Sequence, residues 1–368
     1  MSACYPESVK DQIRQGATYY PSDPPDAWEA LRSEVVSLRQ SVIADLMLRW
    51  SASAPRETSV VTYRDDVRDL LAMNPEDRHR LMTHPAMLIW LRQAVAKSSS
   101  GMRAGGPGVD AVGGWLTDFA SVRDRCVADG GPDGLTVAGS VRLKRHDVDP
   151  LVSMVSSPTY TFPTGSGSSA EEERMKACEA YPLEFFSGVA DAALGRARAA
   201  WPALGDMFPR FVHTVVHVPD SEFRSASASR YTGLIFIAGD DRTLLEVEES
   251  LIHEFGHQVL YWVMETDPLF ENTENGPDFT LPWSGSERDY YGFYHAFYIY
   301  TLLAQYYARV VRSRPETRAP AAKRLHEIGS GLELAIPMIL SSGRFTPVGE
   351  VFTQNVCDSA RAVVQSLD

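Results

Sequence analysis

The stretch from Leu244 to Met264 constrains this chain more than any other. It carries His253-Glu254-Phe255-Gly256-His257 inside an apolar, proline-free run. Residues four apart share a helix face, so His253 and His257 present two imidazoles to one metal ion. Glu254 stands beside the first of them, as base or as partner to a ligand. Thr243 followed by Glu246 reads as a capping-box start, and Pro268 reads as the stop. Leu244, Leu245, Val247, Leu251, Ile252, Phe255, Val259 and Leu260 make the predicted helix largely buried. Two histidines and a glutamate are costly in such surroundings unless they share a partner. The plainer alternative is a hydrogen-bonded histidine pair.

Two histidines do not complete a site, and the third ligand decides the chemistry. A zinc peptidase of the HExxHxxGxxH kind needs Gly and His where this chain has Leu260 and Val263, so that class is excluded. A peptidase closed by a glutamate, Glu274 or Glu287, stays open, although Glu274 sits in a turn-like segment. His295 is the better candidate. A helix beginning near Arg288 places Arg288, Gly292 and His295 at i, i+4 and i+7 on one face, with Gly292 leaving a hollow between the two side chains. A metal ligand, a hollow and a guanidinium in line suit a dicarboxylate cosubstrate. The alternative has Gly292 permitting close helix packing, Arg288 on the surface and His295 in the core.

The HExxH at 253–257 combined with Pro282-Trp283, Arg288, Gly292 and His295-Ala296 resembles the HExxH-type peptide β-hydroxylases of peptide natural-product pathways, which use iron and 2-oxoglutarate. The Gly233–Ile237 strand and the His84-Pro85 … Trp90-Leu91 segment are also similar to that family. The likeness is strongest from about 225 to 312. One departure is Ser284, where many relatives carry a basic residue after the Pro-Trp pair. The resemblance implies metal ligation by His253, His257 and His295, with 2-oxoglutarate anchored on Arg288 beside Gly292. Iron(II) is the implied metal, though imidazoles suit zinc or nickel as well. Glu254 then holds a histidine or water instead of acting as a peptidase base. Glu249, one turn before His253, is a further candidate for that supporting role, against a place on the solvated face.

The remaining sequence sets the frame. A formal charge of −13, from 48 acidic and 35 basic residues, argues against nucleic acid or an anionic membrane as partner. The start shows no basic, then apolar, signal pattern. The apolar stretch Tyr290–Val311 is interrupted by His295, Gln305 and Arg309, which suits a buried helix and not a membrane span. Cys4, Cys126, Cys178 and Cys357 have no CxxC spacing and suit reduced thiols in a cytoplasm.

The expected fold class is mainly α with a small β-sheet (α+β), the metal site lying between two helices. Residues 1–205 read as a mainly helical region with short strands near 135–143 and two flexible loops, 98–108 and 156–170. Residues 206–312 read as the metal-binding core, and 313–368 as C-terminal helices packed on it, broken or kinked at Pro337; one continuous domain is compatible with all three. Val109–Val127 is expected to be helical. His213 and His217, four apart on a predicted strand, compete for the metal, but no carboxylate accompanies them.

The expected function is an oxygenase that hydroxylates an unactivated carbon, Cβ, of a residue in a peptide, with or without a leader, or in a carrier-bound substrate. The rivals are a zinc hydrolase with Glu254 activating water and a non-catalytic peptide-binding protein.

Overall fold

The computed structural model describes residues 8–53, 68–70, 72–101, 119, 121–124, 126, 135–137, 139–145, 183–218, 224–238, 242–271 and 279–366. The helices are α1 (Val9–Arg14), α2 (Pro25–Ser53), α3 (Pro75–Thr83), α4 (Pro85–Gly101), α5 (Leu183–Ala200), α6 (Pro202–Phe211), α7 (Leu244–Thr266), α8 (Tyr290–Ser313), α9 (Arg318–Ser341) and α10 (Pro347–Gln365). The strands are β1 (Thr136–Val137), β2 (Val141–Arg145), β3 (Thr214–His217), β4 (Ser225–Ala226), β5 (Leu234–Ile237), β6 (Phe279–Thr280) and β7 (Glu287–Arg288). This is the mainly α fold with a small sheet that the sequence predicts.

A five-stranded sheet runs in the order β1-β2-β3-β5-β4, with β2, β3 and β5 parallel and the outer two antiparallel. Strands β3 and β5 are buried on both faces, whereas β2 alternates buried Val141 and Leu143 with half-buried Arg142 and Lys144. Side chains alternate across the sheet. Val215, Ile235 and Ile237 enter the larger core, whereas Val216, Leu234 and Phe236 enter a second core with α2, α3 and α4. The larger core draws on residues from Val9 to Ala360, so all three sequence regions share it. Polar ties reinforce it: Tyr20 donates to the Tyr298 carbonyl and Tyr298 to that of Thr18, and Asn355 donates to that of Ile13.

Helix α7 crosses this core and starts at the expected capping box of Thr243 and Glu246. Gln258 accepts from the Gly233 N–H at 2.6 Å and donates to the Leu234 carbonyl, pinning α7 to β5. At the far end Arg39, which is 1 % exposed, makes a bidentate pair with Glu265 at 2.7 Å on both arms. Forked pairing of this kind fixes orientation as well as charge.

Three expectations change. Helix α4 continues to Gly101, through the start of the predicted 98–108 connection. Pro337 lies inside α9, which runs on to Ser341. Helix α8 begins at Tyr290, capped by Asp289, with Arg288 outside it in β7. Residues 119, 121–124 and 126 are helical within the predicted 109–127 helix; the rest of that segment, the 156–170 loop and Glu274 lie outside the described residues. Among the described residues no helix is long and apolar enough to cross a membrane.

Candidate metal centre

Helices α7 and α8 bring three imidazoles together. Gly256, between the two histidines of α7, lets Ile299 and Leu302 of α8 press against its Cα, and this close approach carries His295 to the α7 pair. His257 Nε2 lies 3.2 Å from His253 Nε2, and His257 Nδ1 lies 3.0 Å from His295 Nδ1. Thus the histidines that the sequence nominates from two separate helices do meet. His295 is 3 % exposed, and its Nε2 is buried with no hydrogen-bond partner. A buried polar atom left so costs about 1–3 kcal/mol.

As they stand, the rings form a row. His257 faces its two neighbours with opposite nitrogens, so an ion shared by all three requires an imidazole to turn about its Cβ–Cγ bond. Accordingly, among the described residues no group of three His, Cys, Asp or Glu is already set in ligand geometry. The donor chemistry nevertheless fits a metal. Burial holds His253 down to about 3, with Arg224, Arg324 and His295 adding to the effect. Burial also holds His257 and His295 well below the usual imidazole value. All three are therefore neutral at pH 7, the state that ligates, and His295 Nε2 has no hydrogen-bond partner, a deficit that an ion could fill.

Aromatic rings enclose the cluster. Tyr261 stacks near His257 with centroids 5.9 Å apart, Tyr291 lies 4.2 Å from His295, and Tyr300 lies 6.3 Å from His253. Trp283 of the Pro-Trp pair stacks on Tyr300 at 4.3 Å and donates its Nε1–H to the Ile328 carbonyl. Its role here is to dock α9 beside the cluster.

Glu254 turns away from the row and accepts from Ser227 Oγ at 2.6 Å, next to β4. Burial raises its carboxyl to about 7, against the lowering effect of hydrogen bonds from Ser227 and Ser225. The polar 225–229 run that precedes β5 thus has a task that sequence reasoning missed: it holds this carboxyl.

Arg288 and Gly292 require a correction. Arg288 is exposed, donates to its neighbour Glu287's carbonyl at 2.9 Å, and lays its stem against Gly292. The hollow expected over Gly292 is filled by that stem because α8 starts two residues later than the helical register assumed. The cationic neighbours of His253 are instead Arg224 and Arg324. Both bind Glu249, Arg224 at 2.8 Å and Arg324 through two contacts of 2.7 and 3.0 Å, and Tyr307 adds a third donor. Glu249 is 4 % exposed, so it is a buried anchor and not a member of a solvated face. Burial pushes its carboxyl up, but the Arg324 and Arg224 interactions outweigh this and hold it below the ordinary value.

His213 and His217 do not form a rival centre with each other. His213 precedes β3 and contacts the His84 ring, while His217 stacks on Phe186. Glu287 is exposed in β7 and accepts from Thr280, so it does not close the histidine site. No family model matches the chain, and no curated protein matches it either.

Proposed function

We propose that this protein is an iron(II)- and 2-oxoglutarate-dependent oxygenase that hydroxylates an unactivated carbon, Cβ, of a residue in a peptide substrate in the cytoplasm. The observation that carries the reading is the meeting of three uncharged imidazoles from α7 and α8, one with a buried nitrogen lacking a partner. His253, His257 and His295 would hold the metal. Bound there, iron supplies dioxygen activation, so that substrate C–H, dioxygen and 2-oxoglutarate become the alcohol, succinate and carbon dioxide.

The chain's own residues prepare for this. Burial keeps the imidazoles deprotonated, and Tyr261, Tyr291 and Tyr300 restrict water around them. The Ser227–Glu254 hydrogen bond keeps a carboxyl of intermediate proton affinity beside the first ligand. For the distal carboxylate of 2-oxoglutarate, resemblance favours Arg288 and position favours Arg224. Arg224 neighbours His253 and spends one contact on Glu249, whereas Arg288 points into solvent.

The test is turnover. Purified protein with iron(II), dioxygen and a peptide library should form succinate from 2-oxoglutarate in step with a 16-Da gain on peptide, where ~16 Da is one oxygen atom. Release of shortened peptides independent of 2-oxoglutarate, and lost in Glu254→Gln, would instead establish the zinc hydrolase; the near-neutral carboxyl of Glu254 is what favours that second reading.

A further inference from the structure

A cavity of about 890 Å³ lies away from the histidine row, between α3, the β1–β2 turn, the end of α6 and Trp262 of α7. Trp262 is five residues beyond His257, which places it about 140° around the helix and about 7.5 Å along it. The cavity therefore does not share the histidine face.

Its lining opposes the charge of the whole chain. Four arginines, Arg32, Arg80, Arg142 and Arg210, face two carboxylates, Glu76 and Asp77. Arg80 pairs with Asp77. Arg32 and Arg210 also reach Glu29, at 3.8 and 3.0 Å, where all three side chains stay a third to a half exposed. The positive field persists at depth. His79, which accepts from Arg32 Nε at 3.0 Å, is driven down to about 4 by burial and by Arg32, Arg39 and Arg210. Phe211, Trp262 and Leu81 supply apolar wall between the charges.

We propose that this cavity binds a short acidic peptide segment, its carboxylates meeting Arg142 and Arg210 and its apolar side chains lying against Phe211 and Trp262. Arg32, Arg142 and Arg210 come from three separate elements, α2, β2 and α6. They surround a volume in the range of small-molecule sites, whereas one phosphate is satisfied by a single forked guanidinium or two. A long polyanion is disfavoured by the net charge of −13. Binding there needs neither metal nor turnover; where the oxygenase reading also holds, the cavity is an anchoring site for substrate at a distance from the reacting carbon.

The test is fluorescence anisotropy of the full-length protein, with no metal or cosubstrate added. The probe is a labelled twelve-residue peptide alternating Asp or Glu with Leu or Phe, compared with its Asn/Gln counterpart. The acidic peptide should bind at least tenfold tighter, weaken as salt rises, and resist displacement by 10 mM inorganic phosphate. Arg142→Glu with Arg210→Glu should weaken it at least tenfold, and the milder Arg210→Gln, at an exposed side chain, about threefold. Equal binding of the amide peptide overturns the proposal, as does full affinity in both variants. Displacement by phosphate alone also overturns it, in favour of a phosphate site. Because the assay reads binding and not oxidation, its result stands whether or not hydroxylation is detected.

Discussion

Replacing Gly331 with alanine should destabilise this protein, against the usual sign for glycine inside a helix. Gly331 lies in α9 directly beneath Trp283; a Cβ there would sit 2.8 Å from Trp283 Cε2 and closer still to Nε1 and Cδ1. The indole has nowhere simple to go, because it is stacked on Tyr300 and bonded to the Ile328 carbonyl. Overpacking costs about 1–3 kcal/mol, the lost hydrogen bond about 1 kcal/mol, and the disturbed aromatic pair about 0.5–1.5 kcal/mol. Alanine returns about 1 kcal/mol of helix propensity. The net is a loss of about 2–4 kcal/mol, or about 3–5 °C in Tm for a chain of 368 residues. Calorimetry reads this directly, and tryptophan fluorescence should report the displaced indole. A Tm that is unchanged or raised would refute the reasoning and free Trp283 from the docking role assigned to it.

Other outcomes follow from the charges on α7. In metal-free protein Glu254, raised to about 7 from an ordinary 4.5, penalises folding as pH climbs from 4.5 through 7. Glu254→Gln should therefore add about 3 kcal/mol at pH 8 and little at pH 4, read by urea unfolding at both. His253, held down to about 3 from 6.5, acts oppositely. Its contribution is complete above pH 6.5 and falls away below it, so His253→Gln should flatten the acid limb of the stability curve. Glu249→Gln strips the shared carboxylate from Arg224 and Arg324. It should cost about 2–3 kcal/mol, less than the about 3–5 of a fully buried pair, because Arg224 stays half-exposed. If Arg224 receives the cosubstrate, Arg224→Ala raises the KM for 2-oxoglutarate at least tenfold and Arg288→Ala does not; the reverse result would return the role to Arg288.

What the sequence made legible was local. Thr243 and Glu246 cap α7 as their spacing predicts, and the apolar runs around Val215 and Ile235 become the paired central strands. The spacing of His295 to Arg288 and Gly292, with the family resemblance, nominates it as a partner of the α7 histidines, and the close helix approach at Gly256 is what brings it there. The helix register near Arg288 was not legible. Asp289 accepts from the Gly292 N–H and starts α8 there, while pairing of Phe279 with Arg288 keeps the preceding residue extended. Nor was the burial of Glu249, since its partners Arg224, Tyr307 and Arg324 are far apart in sequence and meet only through tertiary packing. Pro337 did not end α9, because the buried Ala335, Ile336 and Ile339 hold the helix against the core across it.

The central claim is that residues from α7 and α8 share one ion. Anaerobic titration of the metal-free protein with cobalt(II), followed by absorbance and calorimetry, tests it most directly. One ion per chain is predicted and, in His295→Ala, an affinity lower by at least about a hundredfold. Saturable binding that His295→Ala leaves unchanged, or no binding by the intact chain, would contradict it.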